Sequence, residues 1–99
     1  MQRFTDPATA VRVAAGEEFA LALPGNPSTG YTWQASVDPR YLELTGREFE
    51  PGGPGVGAAG TEVLHFRALT AGKTEITCEQ RRPWEGKSLK TTQFRVVIQ

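Results

Sequence analysis

Tyr31-Thr32-Trp33-Gln34-Ala35-Ser36-Val37 places an apolar or aromatic side chain at every odd position and a polar one at every even position. A period of two sends one set of side chains to a core and the other to water. That is the pattern of a half-buried antiparallel strand, and a helical period does not sort these residues. The pattern recurs on both sides. Upstream, Val11 and Val13 open a short first strand, and Phe19, Leu21 and Leu23 alternate with Glu18, Ala20 and Ala22. Downstream, Leu42 and Leu44 begin a strand that runs to about Phe49. Leu64, Phe66 and Ala68 alternate with Val63, His65 and Arg67; Ile76 and Cys78 alternate with Glu75, Thr77 and Glu79. Phe94, Val96 and Ile98 close the chain.

About seven short alternating segments at this spacing predict an all-β chain, an immunoglobulin-like antiparallel β-sandwich with strands A to G in chain order. The 99 residues make a single domain over 1–99. A chain of that size buries roughly 60–70% of its unfolded surface, enough for one two-layer core without a metal or disulfide. With one cysteine, Cys78, no intrachain disulfide is available. That fits a reducing compartment and leaves a secreted or periplasmic one open. No apolar run follows Met1-Gln2-Arg3-Phe4-Thr5-Asp6-Pro7, so no signal peptide is read, and no apolar stretch is long enough to span a bilayer. Lys plus Arg and Asp plus Glu both number 11. A balanced charge argues against nucleic-acid and membrane partners, which select basic surfaces.

The connections are unequal. Gly16, Asp38-Pro39 and Ala71-Gly72 are ordinary breakers. The B–C loop from Pro24 to Ser28, the D–E loop from Pro51 to Gly60 and the F–G loop from Arg81 to Ser88 carry the unusual chemistry. In an antiparallel sandwich every second connection emerges at the same end, so parity gathers these three loops. Loops held by a rigid scaffold are where binding residues concentrate.

Catalysis has little to stand on. His65 lies on the polar phase of its strand and is expected to be exposed. Cys78 lies on an apolar phase, where a free thiol packs as a small hydrophobe. No nucleophile and base share a plausible site, and no metal-ligand spacing or phosphate loop occurs. No metal or cofactor is therefore expected. Asn26-Pro27-Ser28-Thr29-Gly30-Tyr31 reads either as a plain turn, with Pro fixing φ and Gly30 permitting a positive one, or as a stiffened loop that exposes two hydroxyls. In Arg81-Arg82-Pro83-Trp84-Glu85-Gly86, Trp84 is either a lid folded onto the core or an exposed binding anchor of the kind that Trp and Arg commonly supply. Gly57-Ala58-Ala59-Gly60 is either flexible filler or a stretch that lets another backbone approach.

Taken together and in this order, Asn26-Pro27-Ser28-Thr29-Gly30-Tyr31, Gly57-Ala58-Ala59-Gly60 and Arg82-Pro83-Trp84-Glu85-Gly86 resemble the signature loops of the chagasin family, protein inhibitors of cysteine peptidases. The resemblance covers essentially the whole chain. It implies an immunoglobulin-like fold and a non-enzymatic function: reversible, competitive inhibition of papain-like, cathepsin-like cysteine peptidases by a monomer. The implied contacts are Asn26, Pro27, Ser28, Thr29, Gly30 and Tyr31 over the catalytic Cys–His pair. Val56, Gly57, Ala58, Ala59 and Gly60 lie along the non-primed cleft, with Val56 in an apolar subsite. Arg82, Pro83 and Trp84 pack on the primed side. Two positions depart from the pattern: Ser28 stands where many members have Thr, and Ala59 where the family has Gly. The rival reading is a generic immunoglobulin-like binding or adhesion module, which has no need of these motifs together.

Overall fold

The computed structural model describes residues 1–25, 30–52 and 60–99. Its strands are β1 (Gln2–Phe4), β2 (Val11–Val13), β3 (Glu18–Gly25), β4 (Thr32–Ser36), β5 (Leu42–Pro51), β6 (Gly60–Ala68), β7 (Gly72–Arg81) and β8 (Lys90–Ile98), with no helix among the described residues. They form two four-stranded sheets, in the orders β1-β3-β6-β5 and β2-β8-β7-β4. In letters these are A-B-E-D and A′-G-F-C, the immunoglobulin arrangement with its first strand divided between the sheets.

That division is a difference from the sequence reading, which starts the strands at Val11. Gln2–Phe4 pairs parallel to β3, and Val11–Val13 pairs parallel to β8. A three-residue strand with one apolar residue shows no period, so its signal is tertiary: the Phe4 ring meets Phe19 edge to face at 6.2 Å. The chain crosses between the sheets through a turn at Asp6, whose Oδ1 accepts from the Ala8 amide at 2.9 Å and whose carbonyl accepts from Thr9 at 3.1 Å.

The odd residues of β3 and the even residues of β6 face inward, pairing Phe19 with Phe66 and Leu21 with Leu64. The facing sheet contributes Trp33, Ile76, Cys78, Phe94, Val96 and Ile98, all buried. Each large apolar side chain so buried stabilises the fold by about 1.5–3 kcal/mol. Cys78 is fully buried, and burial pushes its thiol up to about 11, which leaves it a packing group.

On β5 simple alternation would send Leu42, Leu44, Gly46, Glu48 and Glu50 to one face. A bulge between Leu44 and Gly46 prevents this by inserting a residue. Leu42 and Leu44 then face inward with Ala68 and Phe66. Beyond the bulge Arg47 and Phe49 take the inner phase opposite Leu64 and Glu62, and Glu48 and Glu50 turn outward. Outside, Arg3 on one edge strand reaches Glu50 on the other through two bonds of 2.8 Å. The side chains between them, Ala20, Ala22 and Val63, are buried although their phase is the outer one. His65 on the same face is half-buried rather than exposed, because Glu48 Oε1 lies 2.7 Å from its Nε2 and the Met1 sulfur packs on the other nitrogen.

Candidate functional site

The strand register gathers the three loop bases at one end. Gly25, the last residue of β3, is opposite Gly60, the first of β6, which is opposite Pro51, the last of β5. On the other sheet Thr32 opens β4 opposite Arg81, the last residue of β7. The B–C, D–E and F–G connections thus leave from neighbouring strand ends, as parity requires. The strands run further into the loops than the composition suggests: Pro24 and Gly25 stay in β3, Pro51 in β5 and Arg81 in β7.

Of the expected contact residues, Asn26, Pro27, Ser28, Thr29, Val56, Gly57, Ala58 and Ala59 lie outside the described residues. Gly30, Tyr31, Gly60, Arg82, Pro83 and Trp84 are described. Five of these, Gly30, Tyr31, Arg82, Pro83 and Trp84, belong to the B–C and F–G connections, and four of them form a stack. The Arg82 guanidinium lies over the Tyr31 ring, 4.4 Å from its centroid, and 6.0 Å from that of Trp84. Arg82 Nη1 also donates to Glu85 Oε1 at 3.1 Å, and the Glu85 amide closes a turn onto the Arg82 carbonyl. Trp84 rests against Gly30, where a Cβ would come within 2.9 Å of its Cη2. Gly30 has φ +82°, so glycine is required there twice over, by conformation and by space.

Trp84 is 73% exposed, which rules out a lid on the core. A large aromatic held in place and left in water is apolar surface of the kind that proteins normally bury. Trp33 is its opposite, 1% exposed, with its indole N–H donating to the Pro24 carbonyl at 2.9 Å.

Gly60 marks the D–E base. A Cβ there would meet the Glu50 carbonyl and the Phe49 ring, so Phe49, partly exposed at the rim, lies directly on this glycine. Beneath the three bases sits a polar group that the sequence reading passed over. The Glu62 carboxylate is buried between the sheets and accepts from the Trp33 amide at 3.2 and 3.3 Å. Arg47 Nη1 donates to Glu62 Oε1 at 3.1 Å and to the Trp33 carbonyl at 2.9 Å. Burial pushes the Glu62 carboxyl above its usual range, against the opposing pull of the Trp33 amide and Arg47. One signal was available: Glu62 sits on the apolar phase with Leu64, Phe66 and Ala68. Arg47 was hidden by the bulge, to which Gly46 in a strand interior was the clue.

Known proteins resemble this chain in sequence and fold. At 32% identity over 92 residues, the chain aligns with chagasin of Trypanosoma cruzi, covering 87% of this chain and 84% of that protein. Amoebiasin-1 of Entamoeba histolytica is 29% identical over 77 residues, 77% of this chain and 76% of that protein. Among solved structures, the fold matches that of a cysteine protease inhibitor from Entamoeba histolytica with a TM-score of 0.80 at 22% identity, covering 99% of this chain and 94% of that one. Amebosin gives a TM-score of 0.78 at 28% identity, with 99% and 97% covered. PbICP-C, solved in complex with falcipain-2, gives 0.66 at 18%, with 99% and 88% covered. Residues 12–98 match the model of the chagasin family of peptidase inhibitors, I42, a span that begins in β2 and ends on the last residue of β8, so it takes in all three loops and their bases: the chain belongs to that family.

Proposed function

We propose that this domain inhibits papain-like cysteine peptidases reversibly and competitively by seating its loop end in the active-site cleft, with no catalytic chemistry of its own. The observation that carries the reading is the Tyr31–Arg82–Trp84 stack: a 73%-exposed indole fixed on Gly30, at the end from which all three loops emerge. Preorganised loops lose little conformational freedom on docking, so a wedge of ordinary interface size binds tightly. Here the stack couples the F–G loop to the flank of the B–C loop before any partner arrives. Cation–π contact of Arg82 with Tyr31 contributes about 0.5–2 kcal/mol to that order.

In this reading Asn26 to Thr29, with Gly30 and Tyr31, cover the catalytic thiol and imidazole. Val56 to Gly60 lie in the non-primed cleft by backbone hydrogen bonds, as an extended substrate does. Arg82, Pro83 and Trp84 pack on the primed side. No bond to the enzyme's sulfur is needed, so papain whose thiol carries a small blocking group still binds. The test is a titration of papain with the purified protein. Inhibition that substrate competes away supports the reading; no inhibition of papain or a cathepsin at micromolar inhibitor refutes it. A chymotrypsin-like serine peptidase should be unaffected.

A further inference from the structure

Strand β4 is the outermost strand of its sheet, so one side of its backbone has no ladder partner. Unpaired edge groups normally face water or invite another strand. At Trp33 neither happens. Its amide donates to both Glu62 oxygens, and its carbonyl accepts from Arg47. Both side chains come from the opposite sheet, where Arg47 is on β5 and Glu62 on β6. They bond to each other at 3.1 Å as well. The Trp33 indole adds a bond to Pro24 on β3. One residue of β4 is thus tied to every strand that carries a B–C or D–E loop base.

The position of the tie matters. Glu62 stands just inside Gly60, where the D–E connection enters β6, and its Cβ and carboxylate lie under Gly25, where the B–C connection leaves β3. Trp33 follows directly on Tyr31 and Thr32, the other flank of the B–C loop. An apolar side chain at position 62 would fill the slot without the desolvation of a buried carboxylate, and such exchanges are often neutral or stabilising. It would leave the Trp33 amide without its acceptor and Arg47 without its carboxylate, and the sheets freer to shift at this end. A clip of charge-assisted bonds, by contrast, fixes both direction and distance.

We propose that Arg47 and Glu62 are positioning residues for inhibition: by closing the edge of β4 at Trp33 they set the B–C loop against the D–E loop. The inference rests on the loop end being the inhibitory surface. Arg47 and Glu62 themselves lie below the loops and touch the peptidase only through them.

The test uses the whole domain, with papain as the probe. Glu62→Gln keeps an acceptor for the Trp33 amide, Glu62→Leu does not, and Arg47→Met removes the donor. Inhibition should weaken in the order wild type, Glu62→Gln, Glu62→Leu, with about tenfold or more lost at the last step of the series, mainly through faster dissociation. Arg47→Met combined with Glu62→Leu should be less than additive. Ile76→Val, a core change on β7, serves as the stability control: it lowers the melting temperature and leaves the inhibition constant unchanged. Residual dipolar couplings of β4 against β6 in the free domain supply a second readout, independent of any enzyme. They should change in Glu62→Leu and not in Ile76→Val. Unchanged couplings overturn the positioning role, as does a loss of inhibition that merely tracks melting temperature across all variants. Wild-type protein that leaves papain untouched refutes the inhibitory reading instead, and the couplings then decide the positioning role by themselves.

Discussion

Trp33 and Trp84 stand at the same end of the sandwich, yet one is 1% exposed and the other 73%. The difference lies in the backbone that carries them. Trp33 is on a regular strand whose inward phase continues through the core, and both its backbone polar groups and its indole N–H are satisfied by neighbouring strands. Trp84 follows Pro83 in a turn closed by the Arg82 carbonyl and the Glu85 amide, where no strand phase points it anywhere. Its ring settles on Gly30 because that residue has no side chain to keep it off. The same residue type is a keystone where the ladder aims it inward and, in the proposed function, an anchor where a turn leaves it out.

The sharpest way to break the comparison is to remove each indole. Trp33→Ala should destabilise the domain by about 3–5 kcal/mol through the cavity and the orphaned Pro24 carbonyl. That corresponds to a fall of well over 10 °C in melting temperature, read by calorimetry. Inhibition, assayed where the variant is still folded, should suffer less than stability does. If Trp33→Ala melts as the wild type does, the keystone assignment is wrong.

Trp84→Ala should reverse the pattern. Truncating an interface anchor costs about 2–4 kcal/mol of binding, roughly 30- to 1,000-fold in the inhibition constant. The melting temperature should stay within a few degrees of wild type, because the side chain covers no core. A large melting shift with unchanged potency would move Trp84 to the structural side of the comparison.

Gly30 joins the two regions, so its substitution gives a smaller, mixed effect. Gly30→Ala places a Cβ at φ +82° and against Trp84. The conformational strain alone is about 1–2 kcal/mol. Relief requires the turn or the indole to move, so stability should fall modestly and inhibition should weaken with it. Measuring both on one sample settles the matter: a variant that loses stability but keeps full potency would mean that Trp84 does not depend on its seat.

The two tryptophans also mark how far the residues alone could be read. Strands β3, β6, β7 and β8 alternate cleanly, and their inward sets, from Phe19 to Ile98, are buried as the alternation requires. Parity then assembles the loop end without any contact information, and the fate of Trp33 follows from its phase. Trp84 was undecided in sequence because a residue between Pro83 and Gly86 has no phase; only the approach of Gly30 from a distant loop decides it. The short β1 was invisible for a similar reason, since its evidence is the Phe4–Phe19 contact. Arg47 and Glu62 are polar residues on inward phases, and an alternation argument discards such positions as noise. They matter because an edge strand must satisfy its backbone from somewhere, which is a property of sheet order rather than of any local segment.

The smallest expected effect contrasts a carboxylate inside the sandwich with one outside it. Glu62 is held above its ordinary value near 4.5, first by burial, with the Trp33 amide and then Arg47 pulling the other way. Arg47 on β5 is the charged group that reaches it, while β3 presents Gly25 and β4 the Trp33 backbone. A raised folded value means that the folded state binds the proton more tightly than the unfolded state does. The contribution of Glu62 is therefore fully present below the unfolded value and is lost as pH rises through the folded one. Glu50 is the reverse case: its hydrogen bonds with Arg3 hold it below its ordinary value, so its contribution is present above the unfolded value and is lost as pH falls through the folded one. Denaturant unfolding of wild type, Glu62→Gln and Glu50→Gln between about pH 3 and pH 7 separates the two. Relative to Glu62→Gln, wild type should lose stability as pH rises across the window above 4.5. Relative to Glu50→Gln, it should lose stability as pH falls below that point, and by little, because that ion pair is on the surface and screened. If the Glu62 difference instead grows with pH, the amide and Arg47 outweigh burial. The clip would then be a net attraction rather than a constraint held against a desolvation cost.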